Sequence, residues 1–331
     1  MLSRFLPAAG RGAAVDNAVR SHLVRSLQTL YARAGVLLPH DERVLADLLD
    51  HIGKGSIRPA VFGTYTALVE SVYAEDASSA QRLSDQLLNL QARCDGTRIV
   101  TLTDDDLGPD QAERYARLID DDPEQSIFIQ PVADKASTAS AVTAALSLIE
   151  AGAPDLADEI EGLTREIVMV DPARSPETGE LAQFDGASTF YLWGAVFANV
   201  EGKSPIDLAQ TLAHESGHLL LFGLTMGRPL VENAYDERYD SPLREDPRPM
   251  EGLVHAAFVL ARMHYILASL LKSGALAPNE REQAREQLAV HGSSFFDALT
   301  AIEQHARFTP QGAAIFRNAV DHMAAGSGLS M

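Results

Sequence analysis

Residues 204–222 read SPIDLAQTLAHESGHLLLF. Ser204 suits a helix N-cap and Pro205 the first helical position, so the stretch predicts one helix. His214 and His218 then stand one turn apart on a shared face. Two imidazoles so placed can aim Nε2 at one ion. Glu215, one step around, is in reach of a water on that ion. Gly217 lets another backbone or a substrate come close. The run LLLF after His218 marks the helix as buried. Two buried imidazoles without partners would be costly, and a metal removes that cost. The bland alternative is a pair of satisfied core histidines.

A third ligand is sought downstream. In PRPMEGLVHAAFVLARMHY, residues 247–265, Glu251 and His255 are four apart and share a face. Glu251 would complete a set like that of a zinc peptidase. His255 would give three imidazoles and leave room on Fe(II) for a 2-oxo acid and dioxygen. His264, nine residues past His255, points off that face and reads as a structural or surface residue. Arg248 stands at the predicted start of this second helix, where a guanidinium beside the helix N-terminus makes a carboxylate clamp. Arg244 is the other candidate, and both could instead pair with Asp240, Glu245 or Asp246. The polar, proline-punctuated loop 227–249 is long enough to suggest a functional role.

Outward from the motif, FYLWGAVFANV (190–200) reads as a strand feeding the motif helix, with further strands in TRIVTLT, SIFIQPV and IVMV. STASAVTAALSLIEAG predicts a helix capped by Ser137 or Thr138, and PDLADEIEGL another. The acid run Asp104–Asp106 reads as a solvated turn. Apolar periodicity over 16–93 and again over about 205–222, 249–273, 279–306 and 311–324 predicts helices. The fold class expected is α+β, mainly helical. Its core would be zincin-like, a small mixed sheet whose edge strand precedes the HExxH helix. Residues 1–95 form an N-terminal helical module. Residues 96–331 form the metal-binding domain, with the sheet in 96–200 and helices in 204–331.

The chain has 331 residues, 27 basic against 46 acidic, a net charge of −19. Such a surface repels phosphate backbones, which argues against nucleic acid. The single cysteine, Cys94, allows no disulfide framework and suits a reducing cytoplasm. No membrane span is expected, and the start, MLSRFLPAAGRGAA, reads as a loose leader rather than a signal segment.

LAHESGHLLL with SPLREDPRPMEGLVHAAFVLARM resembles the HExxH-type peptide-modifying family found beside ribosomally made peptide natural products. The resemblance is strongest over about 190–275 and thin across the N-terminal helices. It implies a 2-oxoglutarate-dependent β-hydroxylase of a precursor peptide, with Fe(II) and 2-oxoglutarate as cofactor and co-substrate. It makes His214, His218 and a residue of RPMEGLVH, taken as His255, the metal ligands, with Arg248 as the co-substrate clamp. Glu215 would then position water. Leu243 stands where relatives carry a bulky aromatic. The peptide would lie along the 190–200 strand by β-addition. Two other classes stay in view: a zinc metallopeptidase with Glu215 as general base, and a metal-stabilised protein that binds a peptide leader without catalysis. The N-terminal helices could bind a leader, form a homodimer or brace the site.

Overall fold

The structure, a computed structural model, describes residues 4–34, 37–120, 127–241 and 247–327. The architecture is α+β, mainly helical, with one five-stranded mixed sheet. By internal contacts the chain forms two compact units, one from residues 13–140 and 163–201, the other from 1–12, 141–162 and 202–331. The boundary near residue 95 partitions the chain differently, because it follows a change in sequence character rather than packing.

The first unit holds most of α1 (Arg11–Ala34), then α2 (Glu42–Lys54), α3 (Pro59–Tyr73) and α4 (Ala77–Asn89). Their apolar residues recur at helical spacing. Leu23, Leu27 and Tyr31 of α1 and Leu45, Leu48 and Ile52 of α2 are buried. The sheet runs β1 (Arg98–Thr101), β3 (Glu166–Pro172), β5 (Ala195–Asn199), β4 (Gly186–Ala187), with β2 (Ile129–Pro131) also on β3. β1, β3 and β5 are mutually parallel, while β2 and β4 are antiparallel to their neighbours. Ile167–Val170 and Ala195–Ala198 are buried at every position, the unbroken apolar run of a parallel sheet covered on both faces. Inside this core Glu166 is fully buried. Its carboxylate accepts from Arg58 (3.0 Å), Arg98 (2.8 Å) and the hydroxyl of Tyr115 (2.8 Å) on α6 (Gln111–Ile119).

Four expectations are corrected here. The 190–200 stretch is not one strand: Phe190–Leu192 is a 3-10 turn, and β5 starts only at Ala195. β5 is not an edge either, since β3 flanks it on one side and β4 on the other, so a peptide cannot add along Phe197–Ala198. The acid run Asp104–Asp106 lies in the short helix α5 (Asp104–Leu107), and its last carboxylate is structural. Asp106 accepts from Thr101 N (2.7 Å) and Thr101 Oγ1 (2.9 Å) and pairs with Lys135. The helix predicted to be capped by Ser137 or Thr138, α7 (Lys135–Gly152), begins earlier than Ser137, and Asp134 accepts from Ser137 N at 3.1 Å.

The second unit is helical. It contains most of α8 (Pro154–Leu163), then α9 (Pro205–Thr225), α10 (Met250–Ser273), α11 (Pro278–His305) and α12 (Pro310–Ser327). Residues 4–10 are no loose leader. Phe5 is 2% exposed, packed edge-on against Phe258 and stacked on His322 at 4.7 Å. Behind it lies a buried charge cluster. Arg11 and Arg262 both donate to the Glu159 carboxylate, and Arg262 also donates to the Phe5 carbonyl at 3.1 Å. Glu159 and Arg262 are wholly buried. α10 does have the length and apolarity of a membrane-crossing helix, contrary to expectation. Here it is a core helix: Val254, Ala257, Phe258, Ala261, Ile266 and Leu267 are all buried.

Candidate metal centre

α9 starts with a complete capping box. Ser204 accepts from Asp207 N, and the Asp207 carboxylate accepts from Ser204 N. Further along, Gln283 and Gln287 of α11 donate to Asp207 (3.0 and 2.9 Å), and Gln210 donates to Gln287 (2.8 Å). These bonds hold the motif helix on α11. α10 crosses α9 antiparallel, as the contacts Met263–His214, Val259–Gly217 and His255–His218 show. Gly217 makes this crossing close: a Cβ there would stand 3.2 Å from Val259 Cγ1 and 3.3 Å from Arg262 Cγ.

The crossing brings together the three histidines singled out in the sequence. His214 Nε2 and His218 Nε2 are 3.2 Å apart, and His218 Nδ1 and His255 Nδ1 are also 3.2 Å apart. Phe222 stacks on His218 and packs near His255, walling one side. Burial, then the neighbouring His214 and His255, push the His218 imidazole well below its ordinary pKa, so it is uncharged at neutral pH. Glu215 is buried, with Oε1 3.8 Å from His214 Nε2.

Glu251 is held by backbone and imidazole contacts. Its carboxylate accepts from Leu230 N (2.9 Å) and Val231 N (3.2 Å) and faces His255 Nε2 at 3.3 Å. Burial raises its pKa, but the bonds from His255, Leu230 and Val231 outweigh burial and hold it below the ordinary value. With His218 uncharged, one order of protons satisfies the chain of contacts from His214 through His218 and His255 to Glu251. His255 Nε2–H donates to Glu251, His218 Nδ1–H to His255 Nδ1, and His214 Nε2–H to His218 Nε2.

Does this set fit a metal? Ligands bonded to one ion at about 2.1 Å stand roughly 3.0–3.4 Å apart at octahedral or tetrahedral angles. His214 Nε2 and His218 Nε2 meet that spacing. His255 stands against the other nitrogen of His218. As placed, no three His, Cys, Asp or Glu side chains among the described residues form a group able to hold an ion. The pair fits, and the triad is adjacent but not closed.

Arg248 sits just before Pro249, the N-cap of α10, and its backbone pairs with Tyr239 through two 2.9 Å bonds. It is half-buried. Arg244 and Leu243 lie outside the described residues. The loop after α9 is not structureless. Val231 bridges Phe308, and Asn233 exchanges bonds with His305 O and Arg307 N. Cys94 is a bystander: it is buried in the first unit, its thiol is pushed up by burial, and it donates to Gly96 O. Sequence reasoning missed Met263, whose Sδ is 3.4 Å from His214 Nδ1, and the Arg262–Glu159–Arg11 cluster behind Gly217. Only the second left a signal, an arginine inside an apolar helical run.

No protein-family model matches the chain, and no curated protein is significantly similar to it.

Proposed function

We propose that the chain is an Fe(II)/2-oxoglutarate-dependent oxygenase that β-hydroxylates a side chain of a ribosomally synthesised precursor peptide, working in a reducing cytoplasm. The observation that carries this reading is the commitment of Glu251 to Leu230, Val231 and His255. It leaves an imidazole, His255, as the third donor beside His214 and His218. The zincin-like core belongs to the same proposal through the motif helix alone.

Bound iron would supply the activation of dioxygen, coupled to decarboxylation of 2-oxoglutarate. The protein's part is orientation and exclusion of water. His214, His218 and His255 would hold the ion. Glu251 faces His255 Nε2 and would orient that ring, whose Nδ1 stands against His218 Nδ1. Phe222 and the buried face of α9 keep water out. Arg248, at the N-terminus of α10, would take the distal carboxylate of the co-substrate.

The zinc peptidase reading has one observation in its favour, the buried Glu215 carboxylate beside His214. Against it, β4 covers the outer side of the preceding strand at Phe197–Ala198, so those residues offer no open edge to a substrate.

Anaerobic reconstitution with Fe(II), 2-oxoglutarate and a candidate peptide, then exposure to air, should add one oxygen to the peptide and release succinate. Arg248→Ala should raise the 2-oxoglutarate requirement by about tenfold or more. Zinc-dependent chain cleavage, abolished by Glu215→Gln, would replace this proposal with the peptidase.

A further inference from the structure

His214 and His218 turn Nε2 toward a shared point, so an ion held there requires the proton of each ring to sit on Nδ1. The group that accepts this proton orients a ligating ring and tunes how tightly it holds an ion. His218 Nδ1 faces His255 Nδ1 at 3.2 Å. His214 Nδ1 faces Met263 Sδ at 3.4 Å. A thioether sulfur has no proton to give, so in this contact it can only accept. The order of protons that runs from His214 to Glu251 puts the His214 proton on Nε2 and leaves none between Nδ1 and the sulfur. The contact with Met263 therefore matches the other tautomer, the one that leaves Nε2 to an ion.

The helix crossing that assembles the histidines also holds the sulfur. Met263 is half-buried on α10, one residue after Arg262. Arg262 is wholly buried, pairs with Glu159 and donates to the Phe5 carbonyl at 3.1 Å. Across the interface Gly217 lets this turn of α10 come close to α9, since a Cβ there would stand 3.3 Å from Arg262 Cγ. The thioether thus meets His214 from a turn anchored by a buried ion pair. The His214 side chain is 34% exposed against 15% for His255, so surrounding packing fixes it less and a specific neighbour matters more.

We propose that Met263 is a positioning residue for the ion: its thioether accepts the His214 Nδ1–H and holds Nε2 toward the point shared with His218. Ion entry then releases no net proton from His214. The N–H bond at Nε2 breaks, one forms at Nδ1, and solvent carries the proton between them. A neutral sulfur is a weaker acceptor than the carboxylate that faces His255, so it directs the His214 ring while raising its basicity little. The inference rests on the proposed reading that His214 and His218 hold an ion, and not on which metal it is or which residue is the third ligand.

The test uses the full chain with isotope-labelled histidine, and zinc as the ion. Long-range proton–nitrogen NMR reads the tautomer of each ring, and chelator competition reads the affinity. Zinc should move the His214 proton from Nε2 to Nδ1. Met263→Leu keeps the volume and removes the acceptor, and should weaken zinc binding by about tenfold, the lower end for loss of such a partner. Met263→Gln offers an amide oxygen at similar reach and should restore most of that loss, which a purely packing role of Met263 would not allow. If Met263→Leu fails to fold, the wild-type tautomer and the Met263→Gln affinity still decide. A His214 proton that stays on Nε2 with zinc bound, unchanged affinity in Met263→Leu, or equal weakening in both variants would overturn the inference while zinc binding itself stands. Absence of zinc binding to the wild-type chain would overturn the metal-site reading and the inference with it.

Discussion

Replacing Glu251 separates an orienting carboxylate from a ligating one. Its two backbone bonds, from Leu230 and Val231, are charge-assisted, and such bonds contribute about 1.5–3 kcal/mol each when buried. The Glu251 side chain is 29% exposed, so water can replace part of each bond on truncation. Glu251→Ala should therefore cost about 2 kcal/mol of folding stability, and Glu251→Gln, which keeps an acceptor oxygen, about 1 kcal/mol. The effect on metal goes further. A glutamine amide facing His255 Nε2 donates, which moves the imidazole proton to Nδ1 and blocks that nitrogen as a donor to an ion. Loss of such a partner weakens metal binding by about 10–100-fold. His255→Ala, which removes the donor itself, should weaken it more. Urea denaturation measures the first quantity, and chelator competition with Co(II) in place of Fe(II) the second. Retention of metal by His255→Ala with complete loss in both Glu251 variants would refute the reasoning and make the carboxylate the ligand.

Three further outcomes follow from the helical unit. Glu159→Gln leaves Arg11 and Arg262 buried without their shared anion and should cost about 3–5 kcal/mol in urea denaturation; a loss under 1 kcal/mol would mean that the cluster is already hydrated. Gly312→Ala places a Cβ onto the Leu230 carbonyl, so that α12 or the 230–231 backbone must shift. It should lower both stability and metal affinity, because that same backbone holds Glu251; a loss of stability with unchanged affinity would uncouple the two. Burial, then His264, brings the pKa of His291 down to about 4, and burial, His264 and nearby cations do the same for His322. The unfolded chain takes up protons at these sites below about 6.5 while the folded chain does not, so stability should fall as pH drops from about 6.5 toward 4. For half-buried rings the loss is about 1–2 kcal/mol each, and His322→Phe, which keeps the stack on Phe5, should flatten the slope; a pH-independent midpoint over this window would contradict it.

Local pattern carried the elements whose evidence lies within one or two turns. The N-cap at Ser204, the shared face of His214 and His218, and the strands at 98–101 and 166–172 all follow from neighbouring residues. Partners distant in sequence did not show. Asp106 reads as a solvated acid until Thr101 and Lys135 are seen to hold it. The 190–200 stretch is uniformly apolar, yet Gly194 adopts φ +88°, and this left-handed turn separates the 3-10 segment from β5. Phe5 sits in a short leader broken by Pro7 and Arg11, and the rings packed on it come from α10 and α12.

The two candidates for third ligand show the same divide in chemical terms. Four-residue spacing puts Glu251 and His255 on one face of α10, and by that rule alone each is as able to reach an ion as the other. What distinguishes them is a backbone 20 residues upstream, where Leu230 N and Val231 N converge on the carboxylate. A carboxylate that accepts from two N–H groups and faces an imidazole is already held in one orientation by those contacts. Its own negative charge then acts on His255, fixing one tautomer and raising the basicity of the remaining nitrogen. The loop that delivers those two N–H groups is itself pinned, through Val231 to Phe308 and through Asn233 to His305 and Arg307. Under the proposal, the choice of ligand rests on the packing of a polar loop against the ends of α11 and α12, and that packing has no period to read in the sequence.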